Sequence, residues 1–180
     1  MDTKNKTYRR GCTALALLTL LAVVVIPPTA FTQTGSDKSK DRTDSGEKPA
    51  EISWMPYEDG LRLAQEQDRQ VLIDFSTAWC GYCKKMDRET FTDRRVIDYI
   101  NENFIPVKVD GDSRREFEID GFKTSEKRIT KEIYGVRGFP TFWFLESDGA
   151  KIGQQPGYQP ADGFLSLLEY VSDRKYDEKK

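Results

Sequence analysis

The chain has 180 residues with 28 Lys or Arg, 30 Asp or Glu and no histidine, for a formal net charge of −2. This balance argues against a nucleic-acid partner, and the lack of histidine excludes a Cys–His dyad, a Ser–His–Asp triad and any histidine-containing zinc site. There are 3 cysteines, and the single C-x-x-C pair supplies only half of the ligands of a structural zinc site, so we expect no metal and no cofactor.

The N-terminal part consists of an apolar segment followed by a polar one. Basic residues precede the apolar run Cys12 to Ile26, and this order predicts a secretory signal peptide over residues 1–30. An uncleaved membrane anchor over residues 11–31 is the alternative, although the run is short for a membrane span. Residues 31–50 are polar and charged, which predicts a disordered linker. We therefore expect an exported protein, periplasmic or otherwise extracytoplasmic.

One folded domain is expected over residues 51–174, followed by a charged tail over residues 175–180. Within the domain, the spacing of apolar residues predicts elements in the order α β α α β α β β α. The predicted helices lie at 57–67, 82–91, 93–104, 129–135 and 162–171, and the predicted strands at 71–75, 107–110, 139–147 and 150–155. This alternation, with a hairpin at Asp148-Gly149, predicts an α/β fold in which helices flank both faces of a central mixed sheet.

A polar stretch over residues 111–127 lengthens the connection between the second strand and the fourth helix. Such a stretch is compatible with a recognition loop, and equally with loop elaboration that has no function.

The first predicted strand contains an unexpected carboxylate. Asp74 lies in the otherwise apolar run Val71 to Phe75, where an unpaired buried charge costs on the order of several kcal/mol. Burial raises the pKa of a carboxyl group toward neutral pH, which favours a role in proton transfer. An ordinary acid that accepts backbone N–H groups is the alternative interpretation.

The C-x-x-C pair follows this strand. Cys80 would begin a helix, where unpaired N–H groups and the helix dipole favour the thiolate, so it is the predicted nucleophile. Cys83, nearly one turn later, would be more shielded and is the predicted resolving thiol, with Asp74 beneath it to exchange its proton. A purely structural disulfide is the alternative, but so short a loop stabilises a chain by only about 2 kcal/mol.

Several segments resemble the thioredoxin superfamily. FSTAWCGYCKKM resembles its active-site segment, VKVD its next strand, YGVRGFPT its cis-proline loop, and DGAKIGQQPGYQPADGFLSLL its terminal hairpin and helix. Within the superfamily, DFSTAWCGYCKKMDRETFTDRRV is most similar to exported thioredoxin-like proteins and to the C-terminal domain of the transmembrane thiol-disulfide interchange reductase. The resemblance implies a thioredoxin fold that ends in a β-hairpin and a C-terminal helix.

The resemblance also implies roles for individual residues. Cys80 and Cys83 would form a redox-active disulfide, Pro140 would follow a cis peptide bond, and Lys108 would tune the pKa of Asp74. For Lys108 a position on a solvated strand face is the alternative. The substrate-binding groove would comprise Trp79, Gly81, Tyr82, Phe139 and Pro140.

These features lead to one main hypothesis, a thiol-disulfide oxidoreductase that acts on cysteine-containing exported proteins. We expect a monomer that receives electrons from a membrane thiol-disulfide reductase. The dipeptide Gly81-Tyr82 differs from the Gly-Pro of ordinary thioredoxins and equals that of the periplasmic disulfide isomerase, which leaves the direction of electron flow open. A non-catalytic thioredoxin-fold binding module is the second hypothesis, and a peroxide-reducing enzyme is the third.

Overall fold

The computed structural model describes residues 51–119 and 121–177. The signal peptide and linker predicted for residues 1–50 lie outside these ranges and stay predictions. Within the described ranges, no helix is both long enough and apolar enough to cross a membrane.

The described residues form five helices and six strands. The helices are α1 (Tyr57–Gln67), α2 (Gly81–Lys85), α3 (Arg94–Asn103), α4 (Glu126–Arg128) and α5 (Ala161–Ser172). The strands are β1 (Val71–Ser76), β2 (Ile105–Asp110), β3 (Glu116–Ile119), β4 (Phe122–Ser125), β5 (Thr141–Leu145) and β6 (Lys151–Pro156). Helices α2 and α4 continue without a break as the π-helical turns Met86–Thr90 and Ile129–Ile133.

The central sheet contains four strands in the order β2-β1-β5-β6. Strand β1 runs parallel to β2 and antiparallel to β5, and β6 runs antiparallel to β5. The parallel pair is connected through α2 and α3, as a crossover between parallel strands requires. The predicted mixed sheet with a closing hairpin and a C-terminal helix is therefore confirmed.

Strand β1 lies inside the sheet and is buried on both faces, since all of its residues are buried. Successive side chains of a strand point to opposite faces. Leu72 accordingly packs with apolar side chains of α3 and α5, whereas Ile73 packs with those of α1 and of the turn after α4. Helices thus cover both faces as predicted, and Asp74 lies on the face of Leu72.

The polar stretch 111–127 differs from the expected loop. Strands β3 and β4 within it form an antiparallel β-hairpin, and its last two residues begin α4. We call β3 and β4 the insertion hairpin. Phe117 and Ile119 alternate with glutamates before the dipeptide Asp120-Gly121, a typical turn sequence, and Gly121 has a φ of +80° in the left-handed region. This alternation could have revealed the hairpin from sequence.

The starts of the fourth helix and of the strand that follows it also differ from the prediction. The helix placed at 129–135 begins earlier, at Glu126, because the side chain of Ser125 caps it by accepting the Arg128 N–H over 3.4 Å. The strand placed at 139–147 begins at Thr141, because Pro140 has no N–H to donate to a neighbouring strand.

Gly60 allows α1 to pack closely on β2. A Cβ atom built at Gly60 would lie 2.2 Å from Cγ2 of the fully buried Val107. We expect Gly60→Ala to destabilise the protein by about 1–3 kcal/mol, because overpacking outweighs the gain of about 0.5–1 kcal/mol from replacing a helical glycine. The measurement is the free energy of unfolding in urea.

Gly163 in α5 provides a matched control for this prediction. A Cβ atom there would lie 3.7 Å from its nearest neighbour, Cγ of Pro160, which is an ordinary contact. Gly163→Ala should therefore leave stability unchanged or raise it by up to about 1 kcal/mol. A Gly60→Ala protein as stable as the unchanged one would contradict the proposed close packing.

Candidate active site

The two cysteines of the C-x-x-C pair form a disulfide at the start of α2. Cys80 is the N-cap residue of the helix, and Cys83 lies within it. The Cys83 N–H donates to Sγ of Cys80 over 3.0 Å, and the Cys80 N–H donates to the Thr77 carbonyl over 3.1 Å. The Cys80 sulfur is thus held beside helix N–H groups, which favour a thiolate once the pair is reduced.

Both cysteines are nearly buried in this oxidised state. Cys80 exposes 4% of its surface and Cys83 exposes 5%. The expected contrast between an accessible Cys80 and a shielded Cys83 is therefore not seen, because the bond turns the Cys80 sulfur toward Cys83 and the helix start. The adjoining Trp79 and Tyr82 are the exposed side chains, at 67% and 63%.

Asp74 is buried in β1, as the sequence predicts, with 2% of its surface exposed. Its Oδ2 atom lies 3.5 Å from Nζ of Lys108, and its Oδ1 atom accepts no hydrogen bond from the described residues. Burial raises the pKa of Asp74 to about 6, although the Lys108 ammonium acts in the opposite direction. A carboxyl group with this pKa can gain or lose a proton near neutral pH.

Lys108 is paired with Asp74 by the register of the sheet, since the two residues are partners in the parallel β1–β2 ladder. Its Nζ atom also donates to Oδ1 of Asp87 over 2.9 Å. Burial acts to lower the pKa of Lys108, but the carboxylates of Asp74 and Asp87 outweigh it, so the net pKa is raised. The ammonium therefore stays charged between a buried and a half-exposed carboxylate.

A surface cavity of about 400 Å³ lies beside Lys108, although Asp74 itself does not line it. Cys83 of α2 and Lys108 of β2 line the same cavity, and Thr77, whose buried hydroxyl has no partner among the described residues, lines it too. The cavity is polar enough to hold water next to Cys83 and the ammonium that contacts Asp74.

Trp79 and Phe139 form one border of the site. Their rings meet edge to face with centroids 5.8 Å apart, and the indole N–H of Trp79 donates to Oδ2 of Asp112 over 2.5 Å. The Phe139 ring also lies against Gly111, where a Cβ atom would approach it within 2.4 Å. The first residues after β2 therefore fix both aromatic side chains.

Tyr82 lies near a different aromatic residue, Tyr158, at a centroid distance of 6.5 Å. Gly81 is the first residue of α2, and a Cβ atom there would meet nothing within 4 Å. The Phe139–Pro140 peptide bond is cis, and the Pro140 carbonyl accepts the Gly157 N–H over 2.8 Å. The aromatic residues predicted for the groove thus divide into two pairs, Trp79 with Phe139 and Tyr82 with Tyr158.

Sequence reasoning missed several residues that contact predicted site residues, among them Asp87, Asp112 and Tyr158. Asp87 follows Cys83 by four positions, and helical spacing places both residues on one face. This spacing could have identified Asp87 as a residue of the site. Asp112 is 33 positions from Trp79, and no local pattern connects them. Tyr158 comes from the segment between β6 and α5 and likewise gives no local signal.

A family model described as a thioredoxin-like domain matches residues 57–172. The chain belongs to this family. A thioredoxin-fold protein from Helicobacter pylori has a similar structure, with a TM-score of 0.57 and 28% identity over 62% of this chain and 73% of that chain. The predicted thioredoxin fold is confirmed by the family match together with this likeness.

Two curated relatives are also similar to the chain. The thiol:disulfide interchange protein DsbD of Campylobacter jejuni is 29% identical over 58% of this chain and 17% of its own length. A protein disulfide-isomerase of Ricinus communis is 26% identical over 57% of this chain and 18% of its own length. The chain thus spans under a fifth of the length of either relative.

The described residues offer no evident metal site. Across residues 51–119 and 121–177, no three His, Cys, Asp or Glu side chains are grouped so that they could hold a metal ion. The groups that the structure brings together here include the two cysteines, the carboxyl groups of Asp74 and Asp87, and the Lys108 ammonium that contacts both.

Proposed function

We propose that the chain is a thiol-disulfide oxidoreductase that exchanges its Cys80–Cys83 pair with cysteines of exported proteins. The observation that supports this most directly is the disulfide at the start of α2, with the N-cap sulfur accepting a helix N–H. A buried carboxyl group with a pKa of about 6 belongs to the same site. The similarity to an interchange protein and to a disulfide-isomerase points in the same direction.

In the reductive direction, the Cys80 thiolate attacks one sulfur of a substrate disulfide. A bond forms between Cys80 and that sulfur, the substrate S–S bond breaks, and the other substrate sulfur leaves as a thiolate. Cys83 then loses its proton, attacks Sγ of Cys80 and releases the second substrate thiol. Two electrons pass from the dithiol to the substrate, and the reverse steps oxidise a substrate dithiol.

Asp74 is the proposed proton acceptor for Cys83. Its pKa of about 6 allows it to be ionised at neutral pH and still basic enough to take a proton. Lys108 favours the ionised carboxylate from 3.5 Å and so tunes this exchange. Water in the cavity that Cys83 and Lys108 line would carry the proton from the thiol toward the carboxyl group that Lys108 contacts.

The substrate would bind as an extended segment across the start of α2. Trp79, Tyr82 and Phe139 would provide apolar contacts, while Gly81 leaves room for a close approach because nothing lies within 4 Å of its Cβ position. The backbone beside the cis Phe139–Pro140 bond would pair with the substrate backbone, as strand-addition modes of recognition do.

The proposed location is the periplasm or another extracytoplasmic compartment. The predicted signal peptide over residues 1–30 supports export, and residues 11–31 would form the anchor if it were not cleaved. A membrane thiol-disulfide reductase is the proposed electron donor, and a monomer is the proposed state. Equilibration of the Cys80–Cys83 pair against glutathione would decide the direction, since a strongly negative potential favours a reductant.

Replacement of the resolving thiol should trap the covalent intermediate. We expect reduced Cys83→Ala protein, mixed with oxidised insulin, to accumulate a Cys80–insulin disulfide, because Cys83 is no longer present to release the substrate. Mass spectrometry without reductant measures the adduct, and dithiothreitol should remove it. A Cys12→Ser background leaves Cys80 as the only thiol.

The double variant Cys80→Ala, Cys83→Ala is the control and should form no adduct. If Cys83→Ala also forms none, the pair does not exchange with protein disulfides. The non-catalytic binding module would then be the better account of the fold.

A further inference from the structure

The stretch 111–127 brings a charged side chain to the cavity of the active site. Glu126, the first residue of α4, is 8% exposed and lines the cavity that Cys83 and Lys108 also line. Together with Lys108 and Arg115, it also borders a neighbouring cavity of about 300 Å³. Glu126 therefore forms part of the wall close to Lys108, although it comes from a part of the chain outside the C-x-x-C segment.

Arg115 fixes the position of this carboxylate. Its Nη2 atom donates to Oε1 of Glu126 over 3.0 Å, and its Nε atom donates to the same oxygen over 3.3 Å. Arg115 also donates to Glu58 of α1 over 2.7 Å, so one guanidinium connects the stretch 111–127 to α1 and to the cavity wall.

The cavity carries charges of both signs. The charged side chains that line it are Lys84 from α2, Asp87 from the π-helical turn after it, Lys108 and Asp110 from β2, and Glu126 from α4. A negative charge near an ionising acid opposes the loss of its proton, and the low polarity of protein walls strengthens the effect. Glu126 can be neutralised without changing the C-x-x-C helix or the Asp74–Lys108 pair, so its effect can be measured separately.

We propose that Glu126 is a positioning residue for the resolving step, its carboxylate opposing proton loss at Cys83 and so setting the pH at which Cys83 attacks. This inference rests on the proposed oxidoreductase function. The stretch 111–127 would then adjust the chemistry of the site through the cavity, in addition to any contact with substrates.

The resolving step can be followed with the small disulfide DTNB. Reduced full-length protein in a Cys12→Ser background should release one thionitrobenzoate when Cys80 attacks and a second when Cys83 displaces the mixed disulfide. The pH midpoint of the second phase reports on proton loss from the Cys83–Asp74 pair. We expect Glu126→Gln to lower this midpoint by roughly 0.5 to 1 pH unit, and Glu126→Asp, which keeps the charge, to stay close to the unchanged protein.

Glu58→Gln is the matched control, because Glu58 also pairs with Arg115 but does not line the Cys83 cavity. Its midpoint should equal that of the unchanged protein. Equal shifts for Glu58→Gln and Glu126→Gln, or no shift for Glu126→Gln, would overturn the inference and leave Glu126 a structural partner of Arg115.

Circular dichroism shows whether Glu126→Gln folds. If it does not, Arg115→Gln tests the effect of the same carboxylate in the opposite direction. Glu126 would lose the Arg115 guanidinium that balances its charge, so the pH midpoint of the second phase should rise. An unchanged or lower midpoint would overturn the inference. If the unchanged protein releases only one thionitrobenzoate at every pH, the proposed function itself fails.

Discussion

Replacement of Cys80 with serine is expected to abolish catalysis of disulfide exchange. A hydroxyl group cannot form the mixed disulfide, so the rate of insulin reduction by dithiothreitol should fall to the rate without protein. Cys83 cannot substitute for it, because Cys83 lies inside α2 and the Cys80 side chain lies at the helix start. The measurement is the turbidity of the precipitating insulin chains, again in a Cys12→Ser background.

Cys83→Ser provides the comparison that assigns the nucleophile. This variant should still react once with DTNB through Cys80, whereas Cys80→Ser should react far more slowly, because Cys83 lies within α2 and not at the helix start that favours a thiolate. If the two variants react at equal rates, the helix start does not activate Cys80. If Cys80→Ser keeps insulin-reducing activity, the assignment of the nucleophile is wrong.

Replacement of Asp74 with asparagine should stabilise the oxidised protein at alkaline pH. The pKa of Asp74 is about 6 in the folded protein against 3.8 as its ordinary value, chiefly because burial disfavours the charge. A pKa raised by folding contributes stability that is fully present below the ordinary pKa and is lost as the pH rises through about 6. The ionised carboxylate should therefore cost about 2–3 kcal/mol near pH 8.

The direction of this pKa shift predicts how the stabilities of Asp74→Asn and of the unchanged protein differ with pH. Asp74→Asn should be more stable by about 2–3 kcal/mol near pH 8, and the difference should shrink toward zero near pH 4, where Asp74 is protonated. Guanidinium unfolding at both pH values measures it. The oxidised form is used because disulfide-bonded cysteines do not titrate.

Asp87→Asn is the matched control, because Asp87 contacts the same Lys108 ammonium but its side chain is 50% exposed. An exposed ion pair contributes about 0–1 kcal/mol, so this change should have a small effect. A difference between Asp74→Asn and the unchanged protein that is equal at both pH values would show that ionisation of Asp74 does not destabilise the fold.

The residues of the site that lie close in sequence could be predicted from it. The apolar run of β1 required burial on both faces, so the burial of Asp74 followed from its place in that run. The position of Cys80 at a helix start followed from the spacing of the pair and from the strand before it. Both predictions concern a few neighbouring residues, where backbone geometry alone decides which side chains meet.

Contacts across the sheet were predicted less completely. The pairing of Lys108 with Asp74 depends on the register of β1 against β2, which the sequence does not state and which only the resemblance supplied. The insertion hairpin was missed because its alternation of apolar and charged residues is short. The polar composition of the stretch 111–127 therefore suggested a loop. The burial of Cys80 was missed because it depends on the direction in which the disulfide bond holds the Cys80 sulfur atom.

The sequence by itself determined the α/β order of elements, the C-x-x-C pair at a helix start and the acid in the strand before it, because each depends on periodicity over a few residues. The tertiary structure alone decided that Asp112 holds Trp79 and that Glu126 shares a cavity with Cys83. These residues are separated by tens of positions, and the folding of the stretch 111–127 against α1 and β2 determines their contacts. Local spacing carries no information about such long-range contacts, whereas chain packing fixes them.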